Sequence, residues 1–146
     1  MNRTLIIGAV AALVGAAAVY FTNTGGGETT SGTGVVPAQG AAMVEVALPQ
    51  TLSQTAQLGQ TAFDSACAEC HGTNAAGRIG NGPPLIHKVY EPSHHSDMAF
   101  HLAVQNGVRA HHWKFGNMPA QEGLTRGDVD AIVAYIREVQ QANGIN

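Results

Sequence analysis

"FDSACAECHGTNAAGRIGNGPPL", Phe63 to Leu85, carries both cysteines of the chain, Cys67 and Cys70, with His71 directly behind them. Two thiols at x-x spacing followed by an imidazole fit several chemistries: half of a zinc site, a redox pair, a small structural bridge, or the anchor of a larger group. The sequence on either side separates them.

With 146 residues, 12% charged and 45% apolar, the chain is long enough for one ordinary domain and an appendage. A net charge of −3, with both signs mixed along the chain, lacks the basic excess that nucleic-acid binding draws on, and that class is set aside.

The appendage lies in front. Arg3 precedes an uncharged run from Thr4 to Phe21 that closes on Tyr20 and Phe21, aromatics suited to a membrane interface. Eighteen residues at helical rise span roughly 27 Å, near the hydrocarbon thickness, so residues 1–21 are expected to be a retained membrane anchor. Ala16 and Ala18 also make an A-x-A-like cleavage site, and a removed signal peptide is the alternative. Either reading leaves Arg3 inside and exports the chain beyond Phe21. Residues 22–48 are Gly-, Thr- and Ser-rich without periodicity and read as a flexible tether with a reach of roughly 25 to 30 Å. The folded domain is expected over residues 49–146.

Within that domain three helices are expected. Thr51 and Gln54 stand at capping-box spacing ahead of Leu52, Ala56, Gly59 and Phe63 on one face, so the first helix runs into Cys67. A second opens at Ser96 and stops at Gly107; Met98, Phe100, Leu102 and Val104 leave it little polar face, so it is expected to be buried. In the third, Thr125 and Asp128 resemble a cap, Val129, Ile132, Ile136 and Val139 form a stripe, and Gly144 follows the end. Gly-, Pro- and Asn-rich loops join them, with no alternating run that argues for a strand and no internal repeat. Three short helices and long loops close too little core over roughly 95 residues, so something large and apolar is missing.

The motif supplies it. C-x-x-C-H is the attachment signal of c-type haem: each thiol can add to a vinyl group through a thioether, and His71 then reaches the iron. A zinc site would want further ligands at matching spacing, and no second C-x-x-C or H-x3-5-H is present. A thioredoxin-like pair would want a βαβ context, and a bridge closing so small a loop gains little.

From Leu52 to Gln141 the chain resembles the class I c-type cytochromes, in particular the small single-haem bacterial carriers with a membrane anchor. The resemblance rests on "GQTAFDSACAECH", "GPPL", "GNMPA" and "IVAYIREV". It implies an all-α cytochrome c fold, with short helices and long loops wrapped around one covalent haem c. It implies Cys67 and Cys70 as attachment points, His71 and Met118 as axial ligands, and the Pro83 carbonyl as acceptor of the His71 N–H. Phe63 and Tyr135 would pack beside the haem, with Tyr135 across Gly59 where two helices cross, and Trp113 would donate to a propionate. Beside the resemblance, a thioether ligand favours ferrous iron and raises the potential, a glycine admits close helix approach, and proline fixes the backbone that orients His71. Met118 as a plain core methionine is the bland alternative, and Met98, inside a helix, is expected to pack rather than ligate.

One segment departs from the simplest carrier pattern: Ile86 to Phe115 holds six histidines. Adjacent side chains diverge, so His94/His95 and His111/His112 are each expected to offer one ligand at most, with His101 and Asp97 as possible completers of a copper or zinc site. Capping, loop-satisfying or haem-edge roles are the preferred reading. A histidine in place of Met118 as ligand is a third. Arg78, Arg109 and Lys114 could neutralise propionates.

The expected function is electron transfer between membrane redox complexes, such as a quinol-oxidising complex and a terminal oxidase, by a monomeric, non-enzymatic carrier. Its haem domain would lie in the periplasm on an inner-membrane anchor, or be soluble there if residues 1–18 are cleaved. The tether would raise its effective concentration at those partners. Rival readings are a haem enzyme or ligand-binding cytochrome with a labile sixth position, and a cytochrome subunit of a larger oxidoreductase. Six basic and eight acidic residues from Pro49 onward provide no docking charge of one sign.

Overall fold

The computed structural model describes residues 37–146. Among them lie four α-helices, α1 Gln54–Ala66, α2 Ala68–His71, α3 Asp97–Asn106 and α4 Arg126–Ala142, with 3-10 turns at Thr73–Ala75 and Lys88–Tyr90. The described residues form no strand, only isolated bridges, and the all-α expectation holds. The expected anchor and residues 22–36 of the expected tether lie outside the described residues. No helix among the described residues is long and apolar enough to cross a membrane.

α1 and α4 cross at Gly59. A Cβ there would stand 1.8 Å from the Ala131 carbonyl oxygen, so only glycine lets the two backbones meet. Below the crossing Phe63 meets Tyr135, ring centroids 5.7 Å apart and tilted by 53°. Around this pair Ala56, Ile132, Ile136 and Val139 close one core with Ala75, Leu85 and Ile86 from the loops. The loop residues enter because Leu85 N–H donates to the Ala75 carbonyl, drawing the segment after "GPP" onto the helix pair.

The caps explain where the helices begin. At α4, Thr125 and Asp128 form a reciprocal capping box, as the spacing indicates. At α1 the cap is Ser53, whose hydroxyl accepts from the Ala56 N–H, and the Thr51–Gln54 expectation fails. Ser53 is additionally held by the Glu138 carboxylate, which accepts from both its N–H and its hydroxyl. That partner is 85 residues away, so local spacing could not reveal it.

α3 begins after Ser96 and ends at Gly107, within the expected bounds, but it is not buried. Met98 and Leu102 are about half exposed, at 50% and 49%, so Met98 does not pack into the core. The helix packs against α4, and the Gln121 N–H donates to its Val104 carbonyl. Phe100 lies against the core, the Arg137 guanidinium stands 5.0 Å over its ring, and Asp97 accepts from Arg137.

The stretch read as the end of a tether behaves differently where it is described. Met43 and Val44 N–H groups donate to Ala76, Gly40 donates to Ile79, and Ile79 donates to Ala41. Asn143 and Ala47 exchange two further bonds. Residues 40–47 are thus laid along the 76–79 loop and the end of α4, where the backbone donors that composition leaves free find acceptors.

Candidate functional site

α1 ends at Cys67, and the short α2 turns Cys70 and His71 back towards the loops. The chain returns beneath them because the Gly77 N–H donates to the His71 carbonyl at 2.7 Å. Arg78, considered as a propionate partner, has its guanidinium on the Glu69 carbonyl at 2.7 Å and steadies the turn that carries the cysteines. Arg109 and Lys114 are exposed.

The His71 ring is held from behind. Its Nδ1 lies 2.9 Å from the Pro83 carbonyl, which can only accept, so Nδ1 carries the proton and Nε2 keeps its lone pair. Burial pushes the imidazole pKa down, partly offset by this hydrogen bond, and keeps the ring neutral near pH 7. Both cysteines are free, Cys67 half-buried and Cys70 exposed. Burial, aided by charge repulsion from Cys70, pushes the Cys67 thiol up to about 11. A redox pair draws on the opposite shift, so this environment disfavours that rival of a covalent anchor.

Met118 comes from the other side of the sequence on a firmly held loop. Val108 and Met118 exchange two backbone hydrogen bonds at 2.9 Å, and the Asn117 side chain accepts from the Ala110 N–H. Gly107 turns into this loop at φ +72°, and a Cβ there would stand 2.5 Å from the Met118 carbonyl oxygen. The Met118 side chain is half-buried.

Trp113 lies on the same loop, stacked on Phe115 and edge-on to His87. Among the described residues, two buried polar groups lack a hydrogen bond of ordinary geometry: the Trp113 ring N–H and the Tyr135 hydroxyl. Tyr90, whose phenol burial pushes up, is close enough to Trp113 to have that rise partly offset, without a hydrogen bond of ordinary geometry. A buried indole N–H without an acceptor is costly, and an acidic group such as a haem propionate would satisfy it. The donor set therefore fits haem: a thiol pair, an oriented neutral imidazole, a thioether and an unpaired indole N–H.

Three residues that pattern reading passed over organise this region. Arg137, on α4, donates to the carbonyls of Tyr90 and His95 and to the Gln140 side chain as well as to Asp97. Gln140, fully buried, donates to the carbonyls of Leu85 and Tyr90. Glu138 holds the α1 cap. Polar residues interleaved with an apolar helical stripe were the only available signal.

Of the histidines, His101 is paired with Asp130 at 2.8 Å, and Asp97 with Arg137, so neither completes a metal site. His94, His95 and His112 do come together, with one nitrogen of each within 4.8 Å of the others. The expectation that neighbouring histidines diverge fails at His94 and His95. Both N–H groups donate to the Glu91 carbonyl, a tight turn that brings the rings to 4.7 Å.

An all-α domain with long loops, a C-x-x-C-H turn and an imidazole fixed from behind belongs to the class of small proteins built around covalently held haem. The chain is a member of the cytochrome c family, whose model, Cytochrome c, matches residues 56–140, more than half of its length. Its cofactor is accordingly covalent haem c and its general role haem-based electron transfer. No curated protein and no solved structure gives a significant match.

Proposed function

We propose that the protein is a bacterial, periplasm-facing, mono-haem electron carrier with His71 and Met118 as axial ligands, tethered to the inner membrane by residues 1–21. The observation that carries this reading is the His71 ring, adjacent to the thiol pair and fixed by Pro83 with its Nε2 lone pair free. Bound haem supplies a one-electron ferric/ferrous couple. Cys67 and Cys70 hold it by thioethers, so an exported domain cannot lose its cofactor. The Pro83 carbonyl orients His71 and strengthens its donation. Met118, on its bridged loop, fills the sixth position, which leaves no open site for a substrate and makes the protein a carrier rather than an enzyme. Trp113 donates its ring N–H to a propionate. Membrane redox complexes, a quinol-oxidising complex and a terminal oxidase, are the proposed partners, met by brief docking of a monomer.

The test is optical. The oxidised protein should show the absorption band of ferric iron bound to methionine sulfur, and Met118→Ala should abolish it and lower the reduction potential. A native protein without the band, or a variant that keeps it, would refute the axial assignment. Carbon monoxide binding to the native ferrous form would point to a labile sixth position. Mass analysis of the membrane fraction for residues 1–18 plus one haem separates a retained anchor from a cleaved signal.

A further inference from the structure

Among the described residues outside the haem site, the most concentrated metal-binding chemistry is on the surface formed by the 89–96 and 110–117 loops. His94 and His112 are exposed and His95 half-buried, and their three donor nitrogens lie within 4.8 Å of one another. The His94 and His112 Nε2 atoms are 3.4 Å apart. Two nitrogens at zinc-ligand distance from a tetrahedral ion stand about 3.3 Å apart, so this pair already has the bite of a chelate.

The third ring is prepared in the way metal-binding histidines are. His95 Nδ1 lies 2.6 Å from the Val89 carbonyl, which fixes the proton on that nitrogen and leaves Nε2 as the donor. The loop behind it is anchored, because Arg137 from α4 donates to the His95 carbonyl and to Asp97 just beyond. His111 stacks near His95, its Nδ1 bound to the Arg109 carbonyl and its own Nε2 free. All the donors of the triad are imidazole nitrogens, with no carboxylate, a set that suits borderline divalent transition metals rather than magnesium or calcium.

We propose that His94, His95 and His112 form a second, haem-independent metal site for zinc or copper(II), with water or His111 in the remaining position. The ion would cross-link the loop after the Lys88–Tyr90 turn to the loop that leads into Met118. The site is distinct from the proposed axial pair, His71 and Met118, and uses neither of them.

Isothermal titration of the haem-loaded, chelator-treated protein tests it, with zinc and copper(II) used in separate arms. One equivalent of at least one of these ions should bind at micromolar protein, and the arm that saturates identifies the metal. For copper(II), nitrogen hyperfine structure from several imidazoles should appear in the electron paramagnetic resonance spectrum. His94→Ala and His112→Ala, both at exposed positions, should each weaken binding by more than about tenfold while the haem absorption spectrum stays unchanged. His101→Gln, which alters a histidine outside the triad, should bind as the native protein does. Failure of both ions to saturate the native protein at one equivalent, or binding that survives either alanine substitution, would overturn the proposal.

Discussion

Replacing Gly59 by alanine would put a methyl group where the α1–α4 crossing has no space. The added carbon would stand 1.8 Å from the Ala131 oxygen, 2.3 Å from its carbonyl carbon and 2.9 Å from the Ile132 nitrogen, all of them backbone atoms that no rotamer change can move. Restoring ordinary contact requires the two helices to separate by roughly 1.5 Å. Overpacking of this kind costs about 1–3 kcal/mol, at the upper end where backbone must shift. Separation also loosens Phe63 from Tyr135, a contact worth about 0.5–1.5 kcal/mol beyond its buried area. Against this, alanine gains about 1 kcal/mol of helix propensity over glycine. The net expectation is a loss of about 2–3.5 kcal/mol, a large share of a typical domain's stability. Guanidinium unfolding of the haem-loaded protein, followed by far-UV circular dichroism, measures it. Gly127→Ala is the control in α4 itself: its Cβ would meet nothing closer than the Thr125 hydroxyl at 3.8 Å, so that variant should be unchanged or slightly stabilised. If Gly59→Ala matched the native protein within about 0.5 kcal/mol at the same denaturant slope, the close crossing would not be what glycine provides.

Arg137→Met should lower stability by about 2–3 kcal/mol in the same assay, since it leaves the His95 carbonyl and Gln140 oxygen without their charged donor. Asp97→Asn, which removes only the exposed end of that network, should cost less than about 0.5 kcal/mol. The Asp128 carboxyl is held below its ordinary value, first by the Thr125 hydroxyl and then by its N–H. Its contribution is therefore present above the ordinary aspartate range and lost as pH falls through the depressed folded value. The melting-temperature gap between native protein and Asp128→Asn should accordingly narrow on acidification below about pH 4, and a gap independent of pH would contradict this. Trp113→Phe keeps an aromatic ring but removes the indole N–H; on the proposed propionate contact it should lower the reduction potential, as protein-film voltammetry would show.

The parts of the fold legible in sequence are those set by short-range rules. The glycine four residues ahead of Phe63, the Thr125–Asp128 box and the stripe from Val129 to Val139 each lie within a few turns of chain, and each stands in the structure as its spacing indicates. Interactions that close across the sequence were not legible. Ser53 became the α1 cap because Glu138 supports it, and residues 40–47 left their expected tether to pair with the 76–79 loop.

The histidines show the same division. Sequence alone determined that six imidazoles crowd one segment, and it led to the reading of a thiol pair with an adjacent histidine as a haem anchor. Only the tertiary structure decided that His101 goes to Asp130 while His94, His95 and His112 converge from two loops. The physical reason is that a motif's internal geometry is fixed by a few backbone dihedrals, whereas the meeting of two loops depends on which distant donors and acceptors satisfy each backbone. Here that choice is made by Arg137 and the Val89 carbonyl, neither of which local pattern singles out.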